Sequence, residues 1–364
     1  MAKARSTRPK PSEAAASDAG EQSVFRWTFD SILGHESAIS ELKAAMASDR
    51  MAHGILFCGP EGVGKGLCAR VLSAWFLCER PGNHGACASC GACKLVETDA
   101  HPDFHRVYRA LIRLSKDSKA RDLAVEVIRD FLNEPAARTS VLGLGKVFIV
   151  EEADLMNAAA QNALLKTLEE PHGRTLIILL AEQLTALFPT IRSRVRVFRF
   201  GELPRSVIEA ELVRAGVDPS RASSAARWAG GSLGRALRWS REGMLDPVVG
   251  LVELLQRAAA GRNVVAELQS HLRKSAEEYA KQRVAQDKLG SEDQFKREGL
   301  ESMLRVVAEV QRELLRSGGD HGAMLRACDA VDAVRRAEEL TDSNVGVPLV
   351  AYDLAIGVAG GSAE

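Results

Sequence analysis

The run Gly59-Pro60-Glu61-Gly62-Val63-Gly64-Lys65-Gly66 constrains this chain more than any other stretch. Through Lys65 it follows G-x-x-x-x-G-K-[ST], in which glycines let backbone N–H groups turn towards a phosphate and the lysine adds a positive charge. Its surroundings suit that use. Gly54 to Cys58 reads as a buried strand, and Leu67 to Leu77 has the apolar period of a helix whose N-terminus would face the anion. The eighth position, where a hydroxyl would ligate magnesium, is Gly66. The expectation is a nucleotide-binding fold whose own hydrolytic centre is disabled. Gly59, Gly62, Gly64 and Lys65 then form a degenerate nucleotide site, and the sequence leaves open whether ATP and magnesium occupy it.

Further strands and helices alternate around this loop. Phe104 to Tyr108, Lys146 to Val150, Thr175 to Leu180 and Val195 to Phe200 read as strands. The helices between them are expected over Ser37–Ala47, Leu123–Leu132 (stopping before Pro135) and Leu155–Glu170 (stopped by Pro171). Such alternation implies a doubly wound α/β domain with a parallel sheet. The strand ending at Val150 runs into Glu151-Glu152, the form in which one acid holds magnesium through water and the next polarises the attacking water. Asp is usual at the first of these positions. An acidic pair after a strand also suits a helix start; with a P-loop upstream, the nucleotide-site reading is preferred.

Cys78, Cys87, Cys90 and Cys93 are spaced C-x8-C-x2-C-x2-C directly after the P-loop helix. Paired C-x2-C turns present two sulfurs to one ion, and four thiolates suit tetrahedral zinc with no open position. The expected metal is therefore structural zinc. His84 and His101 are spare candidates, read as solvent-facing or capping residues.

Hydrophobic residues make up 46% and charged residues 26% of the 364-residue chain, and Lys+Arg equals Asp+Glu at 48 each. That balance gives no overall attraction to nucleic acid or an anionic membrane. No apolar run reaches the roughly 20 residues that span a bilayer. Residues 1–23 lack an apolar h-region and read as a disordered tail; Glu13, Asp18 and Glu21 disfavour a mitochondrial transit peptide. Clustered rather than framework cysteines indicate a reducing compartment. The expected organisation is 24–203 for the P-loop domain with the cysteine insert at 78–93, 204–245 for a small helical lid, and 246–364 for an all-α C-terminal domain. Leu300, Met303, Leu304, Val307, Val310 and Leu314 form its clearest stripe, continued by Val331, Val334 and Leu340. Asn344 is expected to cap a last helix through Ile356. The charged run Lys274 to Arg297 reads as a solvated helix face.

Taken together, the P-loop, the four-cysteine insert, His101-Pro102-Asp103, the helix end Ala163-Leu164-Leu165-Lys166-Thr167-Leu168-Glu169-Glu170-Pro171 and Ser193-Arg194 resemble the AAA+ clamp-loader family. The match is firm from about Phe29 to Phe200 and fainter beyond. In that family a Ser-Arg-Cys segment supplies an arginine finger to a neighbouring subunit's ATP. Here it aligns with Ser193-Arg194, followed by Val195. Without the resemblance, Arg192 and Arg194 read as surface charge at a sheet edge; with it, Arg194 is the expected finger in trans. The resemblance further implies a cytoplasmic bacterial hetero-oligomer. Its partners would be tau/gamma ATPase subunits and a delta subunit, with a sliding clamp and primed DNA reached through the complex and a C-terminal collar joining the subunits. Departures at Gly66, Glu151, Ala181-Glu182-Gln183 (for a sensor threonine) and Gly234-Arg235 (a sensor-2 arginine one place late) argue against hydrolysis in cis. Two rivals remain: a self-sufficient AAA+ ATPase of the tau/gamma type, and a zinc-dependent nucleic-acid-binding module.

Overall fold

The computed structural model describes residues 28–48, 51–112, 122–286, 291–318, 321–343 and 345–359. The tail expected over 1–23 and the cap expected at Asn344 lie outside the described residues. Five strands, β1 (Gly54–Cys58), β2 (Phe104–Val107), β3 (Lys146–Val150), β4 (Thr175–Ala181) and β5 (Arg196–Arg199), form one parallel sheet in the order β2-β3-β4-β1-β5. Every residue of β1, β3 and β4 is buried, as uninterrupted apolar runs require of central parallel strands. Strand alternation divides the core. Ile55 and Phe57 pack with Leu42 of α1 (Glu36–Ala47) and Leu72 of α2 (Lys65–Phe76). Leu56 faces the other layer, with Ile128 of α4 (Val125–Ile128) and Leu164 of α5 (Ala158–Glu169).

Several boundaries differ from the sequence reading, and two of them have a clear physical cause. The helix α4 (Val125–Ile128) does not stop before Pro135; it widens into a π segment, Arg129–Asn133, and resumes as Glu134–Ala136. The wider turn places Pro135 in a fresh first turn, where its missing N–H is no loss. Helix α5 begins at Ala158 rather than Leu155, because the Asn157 side-chain oxygen accepts the Ala160 N–H at 2.9 Å and caps it.

Beyond the sheet the chain is helical. Helices α7 (Arg205–Arg214), α8 (Pro219–Trp228) and α9 (Leu233–Arg241) precede α10 (Leu245–Ala259), α11 (Val265–Gln286), α12 (Glu292–Ser317), α13 (His321–Asp342) and α14 (Val347–Ala359). Two shorter helices, α3 (Gly91–Glu97) and α6 (Pro189–Arg192), lie within the sheet domain. A single cluster of buried apolar residues runs from Leu203 to Ala355. The stripe Leu300, Met303, Leu304, Val307 and Val310 is buried, whereas Leu314 and Val331 are exposed. Within the charged run after Lys274, Ser275, Ala276, Tyr279, Ala280 and Phe295 are buried, so only part of that surface is solvated. Among the described residues no helix is long and apolar enough to cross a membrane.

Candidate functional site

Parallel register brings Cys58 beside Ala181 and Val150, the last residue of β3, beside Leu179, two residues before the end of β4. The P-loop, Glu151-Glu152 and Glu182 therefore emerge together at the carboxyl ends of the strands, where open α/β sheets bind their ligands. There they line a cleft of about 1060 Å³ together with residues of α9, α11 and α12. Helix α2 starts at Lys65, whose ammonium donates to the carbonyls of Gly59 and of Pro60, the latter at 2.7 Å. Burial pushes its pKa down, and nearby carboxylates, Glu182 first, oppose that shift.

The helical region sits directly on the loop. Gly234 N–H donates to the Gly62 carbonyl at 2.8 Å. Any Cβ at Gly234 would lie 2.9 Å from the Gly62 Cα, and one at Gly62, with φ +73°, only 2.2 Å from Ser232 Oγ. In this packing a side chain at position 234 would collide with the P-loop backbone. Arg235 instead donates to the Ala229 carbonyl at 2.9 Å.

Both acids after β3 already have cationic partners. Arg106 of β2 pairs with Glu151 at 2.7 Å, and Arg109 pairs with Glu152 at 2.9 Å. Asp99 lies 3.2 Å from Arg106 and 3.0 Å from Arg70 of α2, which extends the network to the P-loop helix. Burial raises the Glu152 pKa, and Arg109 offsets this only in part. Asp154 accepts the backbone N–H groups of Glu182 and Gln183 at 2.9 and 3.0 Å. At Gly66 an added Cβ would meet nothing within 4 Å. The missing hydroxyl is thus not excluded by packing. Arg106 and Arg109 were not singled out by the sequence reading; the only available sign was two arginines flanking the end of a strand.

The four predicted cysteines converge. Their sulfurs all lie within 4.8 Å of one another, compatible with the roughly 3.8 Å edge of a tetrahedron with 2.3 Å bonds. Backbone N–H groups point at the sulfurs: Arg80 and Cys87 donate to Cys78 at 3.3 Å, Cys90 to Cys87 and Cys93 to Cys90 at 3.4 Å. Donation from the Ser89 backbone and hydroxyl and from the Cys90 N–H pulls the Cys87 thiol down to about 5, while burial pushes Cys78 and Cys93 up. The donor set and its geometry fit a metal ion. Neither His84 nor His101 joins it. His101 is buried, and its Nδ1 accepts the Asp103 N–H at 3.1 Å. Asp103 in turn accepts from Val141 and Leu142 at 2.7 and 2.9 Å, fixing the loop before β3.

Arg194 lies elsewhere. It follows α6, outside the residues lining the cleft, and pairs with Glu169 at the end of α5 at 2.6 Å. Its guanidinium also donates to the Thr190 carbonyl at 2.9 Å, and its side chain is 35% exposed.

Residues 34–204 match the family model described as DNA polymerase III, delta subunit. The DNA polymerase III subunit delta' of Pseudomonas aeruginosa is 40% identical over 143 residues, 39% of this chain and 41% of that protein. This region resembles delta-prime subunits. The Escherichia coli subunit delta' is 33% identical over 201 residues, covering 54% of this chain and 57% of its own length. The gamma/tau subunit of Mycobacterium tuberculosis strain H37Rv is 30% identical over 187 residues, covering 51% and 31%. The chain spans about half the length of the delta' relatives it matches. Delta-prime likeness is thus carried by the sheet domain with its cysteine insert.

Proposed function

We propose that the chain is the delta-prime subunit of a bacterial, cytoplasmic clamp loader. It supports ATP-dependent loading of a sliding clamp on primed DNA without hydrolysing ATP itself. The observation that carries this is a separation. The acids that would serve a nucleotide at the P-loop are each held by an arginine of this chain, at 2.7 and 2.9 Å. The partly exposed Arg194 meanwhile stands outside that cleft. A guanidinium there is permanently charged and forks onto phosphate oxygens, so it suits the ATP of an adjoining tau/gamma subunit. The delta subunit would be a further partner, and the helical C-terminal region the place where subunits join. Zinc held by Cys78, Cys87, Cys90 and Cys93 would stiffen the insert; as a closed four-thiolate centre it has no catalytic position. Gly59, Gly62, Gly64, Lys65, Glu151 and Glu152 remain a degenerate nucleotide site.

The test is reconstitution with the ATPase subunits, comparing wild type with Arg194→Ala. Assembly should persist while ATP turnover falls; unchanged turnover would remove Arg194 from the reaction. Brisk magnesium-dependent hydrolysis by the isolated chain, lost on Lys65→Ala, would favour a tau/gamma-type enzyme.

A further inference from the structure

The cleft at the P-loop contains its own counter-ions. Among the described residues, eight Lys or Arg and eight Asp or Glu side chains line it. A triphosphate approaching such a cleft meets no net positive charge from these groups.

Glu61 has the central place in this balance. It occupies one of the positions that the P-loop pattern leaves open, and its two carboxylate oxygens reach different helices. Oε1 lies 2.6 Å from Arg238 of α9, and Oε2 lies 2.7 Å from Arg305 of α12. One carboxylate therefore joins the sheet domain, the lid and the C-terminal helices. Burial opposes its ionisation, yet the two guanidiniums outweigh that and hold its pKa below the usual carboxylate value. The Gly234-to-Gly62 hydrogen bond at 2.8 Å closes the same seam one residue away. Arg227–Glu313 at 2.7 Å and Trp239 Nε1–Ser302 Oγ at 2.8 Å tie lid to C-terminal helices independently of the loop.

Arginine forks recognise carboxylate and phosphate oxygens by the same geometry. On the cation side, Arg106 and Arg109 neutralise the acids that would otherwise face a divalent ion. We propose that this cleft is a ligand-independent joint. In it Glu61 acts as a built-in anion for Arg238 and Arg305, and Arg106 and Arg109 act as built-in cations for Glu151 and Glu152. The placement of the helical region against the sheet then needs neither nucleotide nor magnesium. This goes beyond the proposed function and makes no use of Arg194.

Hydrogen exchange of the full chain tests the joint, read on peptides covering 59–66 and 232–238, with β4 as the internal control. Wild type should exchange alike alone, with magnesium ATP and with inorganic pyrophosphate. Glu61→Gln should speed exchange in both segments by about tenfold or more, with β4 unchanged. Wild-type exchange in Glu61→Gln would overturn the proposal, and so would slowing of either wild-type segment by magnesium ATP. Should Glu61→Gln expose β4 as well, Arg238→Ala and Arg305→Ala carry the test. Faster exchange at the seam in either supports the joint, and wild-type behaviour in both overturns it.

Discussion

Arg194 and Glu169 form an ion pair at 2.6 Å that joins the segment after α6 to the end of α5. Two stretches that carry the family resemblance are thus neighbours on one surface. Glu169 is 47% exposed and the pair is open to solvent, so its contribution to stability is about 0–1 kcal/mol. Arg194→Ala and Glu169→Gln should each unfold at nearly the wild-type urea concentration. In the reconstituted complex they should part: Arg194→Ala loses about 10³-fold or more of the stimulated ATP turnover, and Glu169→Gln retains it. Arg194→Lys should fail to rescue, because an ammonium lacks the planar fork. Equal losses in Arg194→Ala and Glu169→Gln would place the function in the pair.

The Glu61 pairs give a pH dependence with a definite sign. A folded-state pKa below the usual value means a contribution fully present above the usual carboxylate range and lost as pH falls through the folded value. The urea midpoints of wild type and Glu61→Gln should differ most near neutral pH and converge as acid protonates the folded carboxylate. A gap that widens in acid would contradict the assignment.

Metal content should be one zinc per chain, removed by a strong chelator or by Cys90→Ser. Binding should release protons, since burial holds Cys78 and Cys93 protonated in the metal-free centre. The thermal midpoint should drop by several degrees, as expected for a loss of about 1–3 kcal/mol. The cysteine cluster packs against Leu144, and Phe29 N–H donates to the His84 carbonyl at 3.1 Å. Faster exchange should therefore appear in both neighbouring segments. Full metal occupancy in Cys90→Ser would exclude that sulfur as a ligand.

Asp103 is 2% exposed and accepts two backbone N–H groups. Asp103→Ala should cost about 3 kcal/mol in urea unfolding, and Asp103→Asn, which keeps one acceptor, distinctly less. Equal costs would mean that packing rather than acceptance fixes the loop.

Space is free at Gly66. Gly66→Thr should fold and gain about 0.5 kcal/mol through helix propensity. It should release no phosphate from ATP, because Glu151 and Glu152 stay paired with Arg106 and Arg109. Turnover appearing on this single change would show that those pairs yield to a metal ion.

The sheet was legible because each central strand is an unbroken apolar run, and the cysteine centre because its spacing encodes a turn. The P-loop was legible for its glycines. What escaped is the set of partners. Glu61 meets Arg238 across 177 residues and Arg305 across 244, and local periodicity holds no trace of such pairings. Arg106 pairs with Glu151 only because β2 lies beside β3 in register. The late arginine at 235 was visible as a departure, but the close approach of Gly234 to Gly62 beside it needs the folded chain. Pro135 misled because a π segment reset the hydrogen-bond ladder ahead of it.

The uninterrupted apolar core from Leu203 to Ala355 has a mechanical corollary. Helices that share one interior cannot slide past each other without opening a void, so the whole C-terminal mass would behave as a single body. What holds that mass to the sheet domain is the tip of the P-loop, where Glu61 meets Arg238 and Arg305 and Gly62 meets Gly234.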